Sequence, residues 1–596
     1  MIKELSELGK MLRAGKDQNA WVHDALKEES ISIELVVSQD GCFQQLLLID
    51  DKQTPAEAIT AKKGKARLLL DKPEEVLCYG GDSSKKKHQL FLDKITDYKH
   101  LQELTPVVDF YHNNKAVGLD KALEQFESIA ATEDKKIKKK ISGNIGFRVQ
   151  AEAVRIHEKA EVLMAVISKY ESLQQKQLSK TTRQCSVCGK TDYPVEDIPH
   201  GMIKKVPDGQ SSGCALVSYN ENAFESYELK GNRNSSVCTN CAKTYVEGLN
   251  WLLSSGNEIS VTDKKGKAKS KFRYTNRRNF GTDTAMVFWT RNNKALDEID
   301  QLEVPTADDV ARMIESLASG NEKDGRYLDP EHFYSCTLSG AAARIAVRDW
   351  IETSLGDFRT SIALWFRDIA IGKYDFDQKK VITYYAPLYY LARSCQRQRI
   401  KSDGSYEYDK DDTATARVAA SLWRTALQNS QIPIWILSKA LQRARLDVTD
   451  ERAGLIKLIL NRNIKGGGFM ITENTVQGDR PIAYVCGQIF AKLESIQYAA
   501  LGDRNAGIRE KYFTYAMTSP VSAFGRLFNL NSKHFTKLKS EKPGLAVTLD
   551  KELQELCKDI DIQKFPQLFL LEEQGQFAIG YYHQKQEQFA GIKPKL

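Results

Sequence analysis

The sequence predicts an α+β protein, with mixed N-terminal and middle regions followed by a C-terminal helical bundle. Three observations carry this reading. Short runs rich in Val, Ile and Leu, bounded by Gly, Asn and Asp, alternate with helical patterns in the early part of the chain. Cys, Gly, Asn and Ser rise over residues 181–300. Beyond about residue 305, and nearly everywhere from Arg417, apolar residues recur at the spacing of a helix face. The 596 residues are 41% hydrophobic and 28% charged, so large cores can be buried without staples. At roughly 150 residues per domain, about three or four domains are expected. We place them at 1–180 (mixed α and β), 181–300 (a cysteine-bearing middle module), 301–410 (a mostly helical continuation) and 411–596 (the bundle).

Taken in order, "SIELVVSQDGCFQQLLLID" reads as two strands around a Gly-containing turn. "KARLLLDKPEEVLCYGGDSSKKKHQLFLDKI" reads as a strand, a turn, a strand end and a polar loop. Leu123, Phe126 and Ile129 mark a helix, and "AVRIHEKAEVLMAVISKYESLQQKQ" a longer amphipathic one. In the middle module "CALVSYN" and "TAMVFWT" are expected strands; "FYSCTLSG" is a strand candidate inside the helical continuation, and "YYAPLYYLARSCQ" a buried helix. Residues 401–415 are polar and read as a linker. Ile482, Val485, Ile489, Leu493 and Ile496 trace one apolar stripe in the bundle.

No apolar run reaches the ~18 residues of a membrane span. The first segment, charged on both sides of a short amphipathic pattern, lacks the apolar stretch of a signal peptide. A cytoplasmic protein is expected, without a membrane partner. The net charge of +8 is mild for this length, so a basic surface must be local.

"CSVCGK" (185–190) is answered by "VCTNCAK" (237–243). In a reducing compartment two Cys-x-x-Cys pairs point to metal before disulfides. Each pair supplies two thiolates from one knuckle, and two knuckles complete a tetrahedron around structural Zn²⁺. Cys185, Cys188, Cys238 and Cys241 are the candidate ligands; the alternative is four unrelated buried thiols. Neither pair sits at a strand-to-helix junction of a βαβ unit, which disfavours a redox role. A four-thiolate site is closed, so it staples rather than catalyses.

Two stretches suggest nucleic acid. Residues 264–278, "KKGKAKSKFRYTNRR", hold eight Lys or Arg and no acid. Lys264, Lys265, Lys267, Lys269, Lys271, Arg273, Arg277 and Arg278 are candidates to neutralise phosphates, and Phe272 and Tyr274 to stack on unpaired bases; the alternative is a solvated basic loop. In "YGGDSSKKKH" Gly80 and Gly81 let a backbone approach a groove, while Ser83, Ser84, Lys85 and Lys86 offer donors to base edges and phosphates. A plain hairpin turn explains that stretch as well. The run "KKIKKK" (135–140) fits a solvated helix surface equally.

The segment between the cysteine pairs, "DGQSSGCALVSYNENAFESYELKGNRNSSVC", with "GLNWLL" after them, resembles a signature of the large subunit of the type I-C CRISPR Cascade, the Csd family. "DTAMVFWT" (283–290), "AARIAVRDWIETSL" (342–355, matched to a helix of that family), "RAGLIKLILNRN" (452–463) and "FPQLFLLEEQGQFAIGYYHQKQ" (565–586) are similar to further motifs in the same order. The family pattern does not demand both cysteine pairs. The resemblance implies a non-catalytic subunit of a crRNA-guided complex, working beside a repeated backbone subunit and a subunit that holds the crRNA 5′ end. It implies recognition of the PAM in double-stranded DNA, help in unwinding the target and forming the R-loop, and recruitment of a helicase–nuclease. By analogy with glutamine wedges in related subunits, Gln210 enters a base step while Ser211 and Ser212 bind backbone; a tight turn beside a strand is the plain alternative. It also implies that a small subunit is made from within the same gene. Met470, after "KGGGF", is the candidate start of a separate 470–596 product, with Arg504, Arg509 and Lys511 as contacts to the displaced strand.

No P-loop or His-Glu-x-x-His motif is present in the sequence. His583 in "GYYHQ" has no carboxylate cluster nearby in sequence and reads as a packed residue with a satisfied imidazole. The competing functions are a metal-dependent nuclease using scattered Asp, Glu and His, and a zinc-ribbon RNA-binding scaffold.

Overall fold

The computed structural model describes all residues except 16–22, 60–64, 113–115, 179–183, 192, 194–199, 263–267, 295, 319–330, 401–405, 409–412, 464–467, 503–506, 559, 562, 564 and 592–596. The chain is α+β, as expected, and ends in helices. It forms two compact units: Met1–Thr275 with Gly340–Ala346, and Asn276–Ser339 with Val347–Leu596.

The first unit is built on a four-stranded sheet. Strand Leu26–Val37 runs antiparallel to Phe43–Glu57 and parallel to Ile145–Val149, which pairs with the short strand Leu70–Asp71. Strand alternation decides which face is buried. Ile33, Leu35 and Val37 lie opposite Ile145, Phe147 and Val149, and this apolar face meets Phe91, Phe110 and Phe126 from the covering helices. On the opposite face Glu34 accepts from Arg148 (2.8 Å) and Arg155 (2.9 Å), so its charge is paired. The expected "polar loop" after Gly81 is instead the start of helix Asp82–Asp97. Its apolar residues Phe91 and Ile95 are buried on the sheet, and that packing extends the helix back through the polar residues.

The N-terminal helix Ile2–Ala14 lies against helix Thr239–Ser254, backbone on backbone. A Cβ on Gly9 would stand 2.0 Å from Thr244 O, and one on Gly248 2.5 Å from Leu5 O. Beside this crossing the buried hydroxyls of Ser6 and Thr244 meet at 2.8 Å, and Arg13 forks onto Glu247 with both contacts at 2.7 Å.

The second unit opens on an antiparallel sheet of Arg277–Phe280, Thr284–Thr290, His332–Ala341 and Arg344–Ser354; the tip of its last hairpin, Gly340–Ala346, belongs to the first unit. "AARIAVRDWIETSL" is therefore a strand, not a helix. Trp350 stacks with Tyr334 of the preceding strand at a centroid distance of 5.8 Å. "CALVSYN" makes only isolated bridges, Ile203–Cys214 and Ala215–Arg344. Helix Asp450–Asn463 is buried from Arg452 to Leu460. Its cations are absorbed by helix ends: Arg452 donates to Ser394 O (3.0 and 3.2 Å), and Lys457 to Asp368 O (2.9 Å) and Arg367 O (3.2 Å).

The bundle is centred on helices Ile482–Leu501 and Leu571–Gly591. They touch at Gly487 and Gly580, where an added Cβ would lie 2.0 Å from Phe577 O and Tyr484 O. Val485, Ile489, Leu493 and Ile496 are buried as the stripe predicts, and Ile482 is partly buried. Helices Ile508–Thr518, Pro520–Glu541 and Pro543–Cys557 complete it. Met470 lies in strand Phe469–Ile471, paired with Val476–Gly478 ahead of these helices; Lys465–Gly467 lie outside the described residues.

Candidate metal centre and nucleic-acid interface

The four cysteines expected to act together do converge: the Sγ atoms of Cys185, Cys188, Cys238 and Cys241 all lie within 4.8 Å of one another. The first knuckle is closed by the Gln184–Thr191 bridge, by Cys185 N–H to Lys190 O (2.8 Å) and by Gly189 N–H to Cys185 O (2.9 Å). Gly189 turns the chain at φ +73°, where a side chain would be strained. Ser186 N–H donates to Ser236 O at 2.8 Å, joining the first knuckle to the second. The second is a helix start: Cys238 is the N-cap of Thr239–Ser254 and Cys241 lies in its first turn, so the thiolates face the positive end of the helix dipole.

Cys185, Cys238 and Cys241 are buried beneath Val187, Tyr193 and Val237, while Cys188 is exposed. A hydrogen bond from Cys241 draws the Cys238 thiol down to about 5. The same bond, with burial, pushes Cys241 up, and desolvation raises Cys188. The arrangement favours a thiolate at Cys238, and the thiolate is the form in which cysteine binds a metal ion. Tetrahedral zinc with bonds of about 2.3 Å sets its sulfurs about 3.8 Å apart, the distance between Cys188 Sγ and Cys238 Sγ, 3.8 Å. The donor set fits Zn²⁺.

One backing of this site was not legible in the sequence. The N-terminal helix lies on the cysteine-bearing helix, and Ser6 bonds to Cys241 as well as to Thr244. Only the small residues Ser6 and Gly9, three residues apart on one helix face, hint at it. His200 supports the intervening segment between Tyr245 OH (2.9 Å) and Ser235 Oγ (3.1 Å), and burial lowers its pKa to about 4.

Gly80 and Gly81 hold φ +112° and +85° ahead of helix Asp82–Asp97. Positive φ at both positions favours glycine there. Ser83, Lys85 and Lys86 are exposed on the first turn, and Lys85 reaches Asp82 at 2.7 Å. Ser84 does not face outward: it is 1% exposed and donates to Tyr79 O at 2.9 Å. "QSSG" is a β-turn closed by Gly213 N–H to Gln210 O at 3.0 Å, with Gln210, Ser211 and Ser212 exposed at its tip. Gly209 and Gly213 keep the turn tight: a Cβ on Gly209 would meet Cys214 Sγ at 2.5 Å, and Gly213 sits at φ +111°.

The basic stretch divides. Lys264, Lys265 and Lys267 lie outside the described residues. Strands Gly256–Thr262 and Ala268–Tyr274 form a two-stranded ribbon. Lys269, Lys271 and Arg273 alternate onto one face, opposite Val261, Ile259 and Asn257, and all three cations are exposed. On the other face Phe272 covers Gly256, whose Cβ would lie 2.7 Å from the ring, and meets Tyr274 edge-on at 5.0 Å; Phe272 remains 42% exposed. Arg277 and Arg278 leave the set. They begin the sheet of the second unit and are buried at 7% and 9% exposure. Arg278 pairs with Asp300 (2.9 Å) and Glu303 (2.8 Å), and Arg277 donates to Asn279 at 2.7 Å. Acids from helix Asp297–Glu303 have claimed Arg278.

Among the displaced-strand candidates, Arg504 lies outside the described residues and Lys511 is exposed. Arg509 is engaged within the bundle: its guanidinium lies 3.4 Å from the centre of the Phe513 ring and donates to Ala444 O at 2.9 Å and Arg445 O at 3.1 Å. His583 is 4% exposed and bonded to Tyr484 OH at 2.9 Å, and its pKa falls to about 3 through burial and the nearby Lys457. Nδ1 is the nitrogen that meets the Tyr484 hydroxyl. The neighbouring Tyr581 and Tyr582 hydroxyls donate to Glu494 (2.8 Å) and Asp450 (2.9 Å), so this motif joins helices.

A family profile described as "CRISPR-associated protein (Cas_Csd1)" matches residues 9–589, nearly the whole chain. The chain belongs to this family. Its cysteine centre, glycine-led helix start, 210–213 turn and basic ribbon all fall in the first unit of a Cas_Csd1 chain. No protein with a curated description matches it. Among the described residues no helix is long and apolar enough to cross a membrane.

Proposed function

We propose that this Cas_Csd1 chain is the non-catalytic large subunit of a crRNA-guided type I-C surveillance complex in the cytoplasm. The observation that carries the reading is the family match from residue 9 to 589. Its partners are crRNA, double-stranded target DNA, the repeated backbone subunit, the subunit at the crRNA 5′ end, a small subunit and a helicase–nuclease. The subunit reads the PAM, helps open the duplex and supports R-loop formation. Lys85 and Lys86, with the Gln210–Ser212 turn, are the side chains we assign to the PAM duplex. Zn²⁺ on the four cysteines staples the module that carries the turn. Lys269, Lys271 and Arg273 bind phosphates without reading sequence; a two-stranded ribbon has the dimensions to lie along a major groove. Met470 begins a second product, Met470–Leu596, whose helices among the described residues pack mainly on one another.

The test is binding by the assembled complex to a PAM-bearing duplex and to the same target supplied as a single strand. Lys85→Gln with Lys86→Gln should weaken duplex binding and spare the single strand. Equal loss on both removes the PAM role from this segment, and binding that ignores the PAM in the unmodified complex removes the reading itself. Gly80→Val is a poor probe, because φ +112° strains any side chain there. Recoding Lys465–Gly468 without changing the amino acids should remove the short product and weaken interference, and Met470–Leu596 supplied separately should restore it; unchanged subunit content would end the internal-start idea.

A further inference from the structure

The last turn of helix Leu355–Ile369 carries Arg367 and Asp368, beside a cavity of about 620 Å³ that none of the sites above includes. That volume lies in the range of small-molecule sites, about 300–1,000 Å³. The rim is exposed: it is formed by Arg367 and, after helix Thr413–Gln428, by Asn429 and Gln431. The floor is buried. The side chains of Asp368 and Arg462 are 5% and 6% exposed there, beside the apolar Leu460 and Phe469. Asn461 also lines the cavity, but its amide holds both backbone groups of Ile471, at 2.8 and 3.1 Å. Two guanidiniums share the one carboxylate. Arg462 donates through Nε to Asp368 Oδ2 at 2.8 Å. Arg367 donates through Nε and Nη2 to Asp368 Oδ1 at 3.1 and 3.0 Å. Arg462 Nη1 reaches Thr425 O (3.1 Å) and Ser430 O (3.3 Å), whereas its Nη2 is buried with no hydrogen-bond partner among the described residues. Lys457, on the Arg367 and Asp368 carbonyls, is a third cation. Burial draws its pKa down to about 8. Burial, and then the charge of Arg367, lower that of Arg462. The acids that oppose these shifts are Asp368 and, at Lys457, Glu473, so three cations meet two carboxylates.

We propose that this cavity binds the phosphate group of a small molecule of about nucleotide size. A buried donor on a charged group calls for an acceptor. Water would satisfy the Arg462 N–H but leave the surplus positive charge unmet; an oxyanion meets both. Phosphate oxygens match the planar fork of a guanidinium. Arg462 offers Nη2 from the floor, and Arg367, on the other oxygen of the same carboxylate, offers its exposed side chain from the rim. Asp368 does not repel the ligand outright, because both cations already neutralise it. The apolar wall of Leu460 and Phe469, with the amides of Asn429 and Gln431, suits an organic body attached to the phosphate. A nucleic-acid strand is the poorer occupant: its phosphates follow an open groove, whereas the unpartnered nitrogen here is at a buried floor. The ligand ties together the end of helix Leu355–Ile369, the loop after Thr413–Gln428 and strand Phe469–Ile471. This inference stands apart from the surveillance-complex reading, since no guide, strand or PAM enters it.

The experiment titrates the full chain with inorganic phosphate, adenosine monophosphate and adenosine at constant ionic strength, by calorimetry. Phosphate and the monophosphate should bind saturably, and adenosine should not. Arg367→Gln takes one charged donor from the rim and leaves Asp368 bonded to Arg462. It should weaken the monophosphate roughly 10- to 150-fold, the range for one hydrogen bond to a charged group. Gln431→Glu removes nothing buried and should weaken binding by placing a negative charge at the rim. Arg462→Lys keeps the charge, removes Nη2 and should abolish binding. Because Arg462 also holds the Thr425 and Ser430 carbonyls, urea unfolding checks that variant, and the two rim variants carry the test if it does not fold. Replacing Lys269, Lys271 and Arg273 by Gln should leave the monophosphate unaffected; loss there would move the anion to the ribbon and overturn the proposal. Unchanged affinity in both rim variants overturns it, as does adenosine binding as tight as the monophosphate, or no saturable binding of phosphate or monophosphate by the unmodified chain. An oligonucleotide that displaces the monophosphate at equal phosphate concentration overturns the assignment to a small molecule.

Discussion

Replacing Lys269, Lys271 and Arg273 together by Gln is the sharpest perturbation of the basic ribbon. The register places the three cations two residues apart on one strand face, so adjacent charges are about 6.8 Å apart at 3.4 Å per residue. They stand on a two-stranded ribbon, exposed, with the aromatic pair Phe272 and Tyr274 on the opposite face. Nothing buried is removed, and the fold should change by no more than about 0.5 kcal/mol. If each cation meets one phosphate of a duplex, the slope of log K against log salt should lose about 0.9 per contact, about 2.7 in all. Over a fourfold rise in salt, from 50 to 200 mM, the variant's affinity should then fall about 40-fold less than that of the unmodified protein. Fluorescence anisotropy with a labelled duplex of arbitrary sequence measures this. Loss of the same size on unrelated sequences is expected, because phosphate contacts carry no sequence information. An unchanged slope, or a loss confined to one sequence, would refute the assignment of the ribbon to phosphates.

Freshly purified protein should hold one zinc per chain by metal analysis; Cys185→Ser should lose it and make the backbone around residues 184–191 and 235–245 exchange hydrogen faster, because structural zinc contributes on the order of 10–16 kcal/mol in small domains. Protein without zinc that keeps slow exchange there would dismiss the staple. The stability of the second unit should fall with acid through His583. Its folded pKa, about 3, is below the unfolded value of about 6.5, so the unfolded chain takes up the proton first. That stabilisation is complete above pH 6.5 and is lost progressively toward pH 3, with about 2 kcal/mol going between pH 7 and 5. Urea unfolding at the two pH values should show this loss, and His583→Gln should reduce it; an equal loss in the variant would place the sensitivity elsewhere.

Much of the fold was legible because it depends on local periodicity. The two strands around Gly41, the helix with Leu123, Phe126 and Ile129, and the stripe from Ile482 to Ile496 all bury one face against a core, and that demand shows as alternation or as a three-to-four residue repeat. The four cysteines were legible for a related reason: two thiols on one knuckle need two residues between them, whatever lies elsewhere in the chain. Errors came where local pattern and tertiary partner disagree. "AARIAVRDWIETSL" has residues at helical spacing, yet edge pairing with His332–Ala341 draws it into a strand. "YGGDSSKKKH" is polar enough for a loop, yet Phe91 and Ile95 further along hold it in a helix.

The sequence by itself determined the α+β class, the cysteine pairs, the concentration of positive charge in residues 264–278 and the helical C-terminal half, since each follows from residue type and short-range spacing. Only the tertiary structure decided which of those charges are exposed and which are buried against acids. Arg277 and Arg278 differ from Lys269 and Lys271 in nothing visible locally; a helix about twenty residues further on carries the acids that pair Arg278. Arg509 was engaged by Phe513 and by carbonyls of a preceding helix end in the same way. A cation's role depends on the dielectric around it and on the nearest acceptor, and both are set by residues distant in sequence that folding brings into contact.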